Sequence, residues 1–118
     1  MQAERRRKRT SYYALALHYW LAAEAARFRM FGLVLADAAG LLVASSFRGP
    51  EAEELAALAP LLVRNGGDGK RPVPGAPLSV QRLTVDGSTL YLCAVGRPLP
   101  TAGSLDDAAQ GIHRILTV

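Results

Sequence analysis

The chain has 118 residues, half of them apolar and a fifth charged, which is typical of one folded domain and excludes a largely disordered chain. Its single cysteine, Cys93, excludes an internal disulfide and fits a reducing compartment. The formal net charge of +4 belongs to the first nine residues, because the remaining acidic and basic residues balance each other.

Residues 1–9 are predicted to form a basic, disordered arm before a single domain at residues 10–118. The run could attract nucleic acid, an acidic membrane surface or an acidic protein, and it is equally typical of a solvated tail. Since the body is neutral, the net charge does not indicate a nucleic-acid-binding face on the domain. The cations of the arm are Arg5, Arg6, Arg7, Lys8 and Arg9.

The segment YYALALHYWLAAEAA, which follows the arm, has the outline of a signal peptide but the wrong residues for one. His18, Trp20 and three tyrosines make a poor apolar region, and Glu24 follows at once. The segment is also too short and too polar to span a bilayer. We therefore expect a cytoplasmic protein, and the excess of Arg over Lys indicates a high-GC bacterial gene.

Residues 10–30 are predicted to form a helix with two apolar sides. A helix of this kind is usually buried on both sides, so we expect one side to lie on a sheet and the other to contact a second helix or subunit. One side carries Tyr12, Leu15, Tyr19, Ala22, Ala26 and Met30. The opposite side, to which we assign the partner contact, carries Tyr13, Leu17, Trp20 and Leu21, with Phe28 beyond them.

The stretch FGLVLADAAGLLVASS, residues 31–46, is predicted to form a β-hairpin. A helix would place Gly32 and Gly40 in its interior at about 1 kcal/mol each. In a hairpin, Asp37 and Gly40 occupy the first and fourth positions of a type I turn. Both flanks are continuously apolar, so we expect both strands to lie centrally in a sheet that is covered on both faces.

A second helix is predicted to begin at Pro50, where the following glutamates suit the positive end of its dipole. Pro60 is expected to kink the last turn or to end the helix early. The helix carries a leucine stripe that is typical of core packing and that we also assign to partner contacts. The stripe consists of Leu55, Leu58 and Leu62.

A loop rich in Gly and Pro, residues 64–77, separates that helix from a second predicted hairpin at residues 78–96. Asp86 and Gly87 form its two-residue turn, and the apolar phase slips near Leu83, which indicates a bulge. A last helix is predicted to be capped by Ser104. The fold class is therefore α+β: an antiparallel sheet of about four strands in two hairpins, with three helices, in the order α-β-β-α-β-β-α.

No residue pattern in the chain indicates catalysis. The stretch GGDGKR lacks the glycine spacing of a phosphate-binding loop, and His18, His113 and Cys93 lie on different elements rather than at metal-ligand spacing. The carboxylates are explained by turns and helix starts. We expect no enzyme, no catalytic residues, no metal and no cofactor.

The element order and the stretch VLADAAGLLVAS resemble the Roadblock family of dynein-light-chain-like domains, which have a profilin-like fold. By position, EAEELAALAPLL is similar to the middle helix of that family and LTVDGSTLYLCAVG to its later strands, so the resemblance covers residues 10–118. It implies a non-enzymatic domain that dimerises, often by joining middle helices and sheet edges. It also implies a scaffold or regulator of Ras-like GTPases.

Two functional hypotheses follow from these observations. The first is a homodimeric interaction module that scaffolds or regulates a partner such as a small Ras-like GTPase or a polarity or motility component. The second is a small-ligand sensor of the GAF or PAS kind, which predicts a sizeable pocket between the sheet and the helices. Nucleic-acid binding through the basic arm is a further alternative.

Overall fold

The computed structural model describes the backbone of residues 2–66, 71–72, 78–96 and 102–117, and the side chains of residues 13–63, 78–96 and 105–117. Within these ranges the chain forms three helices and five strands. They are α1 (Gln2–Arg27), β1 (Gly32–Asp37), β2 (Leu42–Ser45), α2 (Pro50–Gly66), β3 (Arg71–Pro72), β4 (Leu78–Val85), β5 (Ser88–Val95) and α3 (Ala102–Leu116).

The described strands form one antiparallel sheet in the order β2-β1-β5-β4-β3. The predicted α+β class, the two hairpins and the three helices are confirmed. The two-residue strand β3 lies inside the predicted loop 64–77 and adds a fifth strand at the edge. It is too short for an alternating apolar pattern, and for that reason the sequence does not reveal it.

The predicted first hairpin is confirmed, and its turn is held by the side chain of Asp37. The carboxylate oxygen Oδ1 accepts hydrogen bonds from the backbone N–H groups of Ala39 and Leu41, both at 2.9 Å. Gly40 has a φ of 82°, a left-handed conformation that glycine adopts at little cost. The predicted central position holds for β1, but it is wrong for β2, which is an edge strand.

The second hairpin turns at Asp86 and Gly87, whose φ angles of 49° and 79° are those of a type I′ turn. Its pairing is regular along its whole length, so the predicted bulge near Leu83 is wrong. The apolar residues of β4 change face because Leu78 and Val80 pack under α2, whereas Leu83 and Val85 pack on the side of α1 and α3. The irregularity in the sheet lies instead between Leu35 and Ala36 of β1.

The sheet separates two apolar cores. Helices α1 and α3 cover one face, where Leu17, Leu21 and Ile112 are fully buried. Helix α2 covers the other face with small side chains. Because β1 is buried on both faces, its side chains alternate between the two cores, which accounts for the continuous apolar run in its sequence.

The ends of the helices differ from the sequence predictions in three places. Helix α1 begins at Gln2, so the backbone of the predicted disordered arm continues the helix, because Arg, Lys and Glu are good helix formers. Helix α2 continues to Gly66 and does not end at Pro60, which is buried within it. Helix α3 begins at Ala102, so Ser104 lies inside the helix and is not its cap.

Candidate interaction surfaces

Helix α1 buries the side that we predicted to contact a partner. Leu17 and Leu21 are 0% exposed, in the core between the sheet and the helices α1 and α3. Their assignment to a partner interface is therefore wrong. Both sides of the helix are apolar, but Leu17, Leu21 and the nearby aromatic residues offer the larger area, so the domain uses that side for its own core.

Trp20 joins α1 to α3. Its indole N–H donates a hydrogen bond to the backbone carbonyl of Ala108 at 3.0 Å, and the guanidinium of Arg114 lies 5.6 Å from the centre of its ring. The ring packs against Gly111, where any Cβ atom would overlap it. Trp20 and Tyr13 are each half-buried. Their predicted role in partner binding stays a prediction.

The opposite side of α1 is exposed. We call it the outer α1 face, and it consists of Leu15, Tyr19, Ala22 and Ala26. The side chains of Leu15 and Tyr19 are 55% and 65% exposed. The helical wheel placed these four residues on one side, but Met30, which it placed with them, lies beyond the end of the helix and is buried in the core.

Helix α2 carries a second exposed apolar surface. Leu58 and Leu61 are 46% and 49% exposed and form what we call the α2 leucine patch, while Leu55 and Leu62 are half-buried. The predicted stripe therefore divides into core contacts and surface. Leu61 was missed by the sequence analysis, although its spacing of three residues from Leu58 places both on one side of the helix.

The first hairpin adds exposed leucines beside α2. Gly40 packs closely on the helix, since a Cβ atom there would lie 3.2 Å from the Cα of Ala57. Leu41 and Leu42 follow at once, and both are exposed. Leu42 pairs with Ala36 of β1, whose side chain belongs to the core under α2, so Leu42 lies on the same side of the sheet as the patch.

A hydrogen bond from the side chain of His18 connects α1 to the edge strand β2. Its Nδ1 lies 2.6 Å from the backbone carbonyl oxygen of Ser45, so this nitrogen carries the proton and donates. The hydroxyl of Ser45 donates in turn to the carbonyl of Phe47 at 2.6 Å. His18 therefore has a structural role on the flank of the helix.

No group of three His, Cys, Asp or Glu side chains within residues 13–63, 78–96 and 105–117 could hold a metal ion. Burial raises the pKa of the Cys93 thiol to about 12, far from the range of a nucleophilic cysteine. No helix among the described residues is long and apolar enough to cross a membrane.

Glu24 is an ionisable group buried between α1 and α3. Its side chain is 2% exposed, and its Oε1 has no hydrogen-bond partner among the described residues. Burial raises the pKa of this carboxyl group. The positive charge of Arg27, whose Nη1 lies 3.7 Å from Oε2, lowers the pKa. The negative charge of Asp107 raises it, and the positive charge of Arg114 lowers it.

A cavity of about 300 Å³ opens at one end of the sheet, beside the turn of the second hairpin and the last turn of α3. Its lining is mainly apolar, and Asp86 and Ser88 contribute the polar groups. This volume is at the lower limit for a small-molecule site. Residues 67–70 and 73–77 of the predicted loop and the side chains of the basic residues 5–9 lie outside the described residues.

Comparison with known proteins identifies the fold. No family model matches the chain, and no curated protein sequence matches it. Solved structures of MglB do match. Myxococcus xanthus MglB has a TM-score of 0.62 at 15% identity over 87% of this chain and 89% of that chain. The gliding protein MglB of Thermus thermophilus has a TM-score of 0.62 at 14% identity over 87% and 90%.

A further structure, described as MglB with a tetrameric arrangement, has a TM-score of 0.58 at 15% identity and covers 87% of this chain and 89% of that chain. At these identities the likeness establishes the fold alone. The chain therefore has the Roadblock-like, profilin-like fold that the sequence resemblance implied.

Proposed function

We propose that the chain is a non-catalytic interaction module that forms a homodimer through α2. In that form it scaffolds or regulates a small Ras-like GTPase or a polarity or motility component. The observation that carries the homodimer is the α2 leucine patch, Leu58 and Leu61, on the outer side of the helix that covers one sheet face.

The distribution of side-chain sizes on α2 supports a partner at this surface. The positions of α2 that face the sheet hold mostly alanine, at residues 52, 56 and 59, whereas Leu58 and Leu61 lie outside. A surface helix of a monomer shows the reverse order, with its largest apolar residues against the core. Leu42, exposed on the same side of the sheet, extends the apolar surface. An exposed apolar surface of this kind is typical of a subunit interface, where the partner shields it from water.

The GTPase partner rests on the fold. Roadblock domains in general are scaffolds or regulators of Ras-like GTPases, and this chain has their fold over most of its length. The description "gliding protein" belongs to the Thermus thermophilus structure, and it is in keeping with a motility component as the partner system. Among the described residues no group of three His, Cys, Asp or Glu side chains could hold a metal ion, and burial raises the pKa of the Cys93 thiol to about 12.

The homodimer is tested by sedimentation equilibrium of the wild-type chain, a Leu58→Arg variant and a Gln110→Arg control. Gln110 is exposed on α3, far from α2 in the layer order, so the control adds the same charge to a different helix. We expect Leu58→Arg to weaken association by about tenfold or more, because a buried arginine would lack a partner. Equal association of all three chains would remove α2 from the interface.

The GTPase is tested by titrating the purified chain into each small Ras-like GTPase of the same organism, loaded with GDP or with a non-hydrolysable GTP analogue. We expect one of them to bind, with different affinities for the two nucleotide states, and hydrolysis of GTP to change in rate. If none binds in either state, the GTPase part of the proposal is wrong, whatever the oligomeric state.

A further inference from the structure

The outer α1 face has the residue spacing of a helix–helix interface. Leu15, Tyr19, Ala22 and Ala26 are separated by four, three and four residues, which is the spacing of the a and d positions in a coiled coil. The strip is narrow: Ala16 and Ala23 flank it on one side, and His18, which is hydrogen-bonded to the backbone of Ser45, and Ala25 flank it on the other. A narrow strip of this kind suits contact with another helix better than contact with a membrane, which requires a wide apolar face.

We propose that this face binds the outer α1 face of a second copy of the chain, with the two helices antiparallel. In that arrangement Leu15 packs against the partner's Ala26, and Tyr19 packs against the partner's Ala22. Each large side chain therefore meets a small one, and the large side chains of both copies are accommodated at once. A parallel arrangement would oppose Tyr19 to the partner's Tyr19 and leave the alanines opposite each other, with a gap between them.

The helix dipoles also favour the antiparallel arrangement. In a parallel pair the two dipoles would point the same way, which is unfavourable, whereas in the antiparallel pair they oppose each other.

The proposed contact is independent of the α2 patch. Helix α1 and helix α2 cover opposite faces of the sheet, so one protomer presents both surfaces at the same time. The α1 contact therefore does not rest on the proposed homodimer, and each can be removed without the other. Tyr19 belongs to neither of the two apolar cores. Its ring lies beside that of His18, with the ring centroids 5.6 Å apart.

Disulfide trapping tests the arrangement. A Tyr19→Cys chain and an Ala22→Cys chain with tags of different lengths are mixed and oxidised, and the covalent dimers are separated by gel electrophoresis. A disulfide requires Cβ atoms about 3.5–4.5 Å apart. We expect the mixed dimer to dominate, because two copies of position 19 are displaced by about 4.5 Å along the helix axes in the antiparallel pair. Cys93 is buried and does not compete.

Predominance of the dimer between two Tyr19→Cys chains would show a parallel pair and overturn the proposal, as would an absence of any covalent dimer. Repeating the experiment in chains that also carry Leu58→Arg separates the two interfaces. A mixed disulfide dimer formed by chains that also carry Leu58→Arg would support the α1 contact even if the proposed α2 homodimer is wrong.

A second measurement uses the chain without the introduced cysteines. Tyr19→Arg is expected to weaken the α1 contact by about tenfold or more, while Gln110→Arg leaves it within about twofold. Because Tyr19 is 65% exposed, the variant should melt at the wild-type temperature. Unchanged sedimentation of Tyr19→Arg relative to the control would contradict the proposal.

Discussion

Glu24 shows how a single buried side chain makes stability depend on pH. Since burial raises its pKa above the ordinary value of 4.5, the folded protein holds a proton that the unfolded chain releases in the pH range between the two values. The stabilisation is therefore complete below pH 4.5 and is lost as the pH rises through the pKa of the folded protein. Above that pH the folded state contains a buried carboxylate whose Oε1 has no described partner.

We expect Glu24→Gln to raise the free energy of unfolding at pH 8 by about 1 kcal/mol, because a neutral amide is less costly to bury than a carboxylate. The ion pair with Arg27 is too exposed on the arginine side to offset this. Urea unfolding from pH 4 to pH 8 measures the effect, with Glu53→Gln on the exposed side of α2 as the matched control. A less stable Glu24→Gln at pH 8, with an unchanged pH slope, would show that the carboxylate is paired after all.

Cys93 gives a second prediction at the same scale. With a pKa near 12 and no exposed surface, the thiol should not react with a thiol-specific reagent at pH 8 in the folded chain. It should react fully after unfolding in urea. Rapid labelling of the native protein would mean that α2 detaches from the sheet, because Cys93 lies in the core beneath it and its Sγ is 3.9 Å from the carbonyl of Leu55.

The structural role of a single residue was predictable where it depends only on its neighbours in the sequence. The turn at Asp37 and Gly40 follows from the chemistry of four neighbouring residues, and in the structure the Asp37 carboxylate accepts two backbone hydrogen bonds there. The burial of Leu17 was not predictable in this way. Whether it or Leu15 faces the sheet depends on which side of α1 packs on β1 and β2, and sequence periodicity alone does not determine that tertiary contact.

At the scale of elements, the contact between α1 and α3 depends on Gly111, which leaves room for the ring of Trp20. In an exposed helix, replacing glycine by alanine stabilises by about 1 kcal/mol. At Gly111 the added Cβ would overlap the ring of Trp20, which is also held by its hydrogen bond to Ala108. We therefore expect Gly111→Ala to destabilise the protein by about 1–3 kcal/mol, as overpacking does.

The control for this prediction is the same substitution in a Trp20→Leu chain. With the indole removed, Gly111→Ala should lose its penalty and become neutral or slightly stabilising, so the double-mutant cycle should give a coupling of more than about 1 kcal/mol. Additive effects in thermal unfolding would show that α1 and α3 do not meet through this pair.

The helices and strands themselves were predictable because a hairpin turn or a helical period is determined by residues that are close together in the sequence. The failures at this scale share one cause. The central position expected for β2 and the bulge expected near Leu83 were both inferred from apolar residues without knowing which helix covers them. Leu42 is apolar although it lies at an edge, and β4 changes its apolar face because α2 covers only its first half.

At the scale of the whole molecule, the sequence predicts the fold class, but it assigns to a partner contact two leucines of α1, Leu17 and Leu21, that the structure buries in the core. The two exposed surfaces lie on opposite sides of one sheet, with Tyr19 on one and Leu58 on the other. If both contacts are two-fold and join like to like, a protomer with two such contacts assembles beyond a dimer. The result is a closed tetramer when the two axes meet at a right angle, and a larger closed assembly or an open chain in other arrangements.

This gives a prediction for the assembly that follows from both proposals together. The wild-type chain should sediment as a species larger than a dimer, Tyr19→Arg and Leu58→Arg should each reduce it to a dimer, and the double variant should be a monomer. Each arginine places a charge in an apolar contact and leaves the opposite face of the sheet unchanged, so the two effects should be separable. Sedimentation velocity across a concentration series measures all four chains. A double variant no smaller than either single variant would contradict the assignment of two independent contacts to the outer α1 face and the α2 leucine patch.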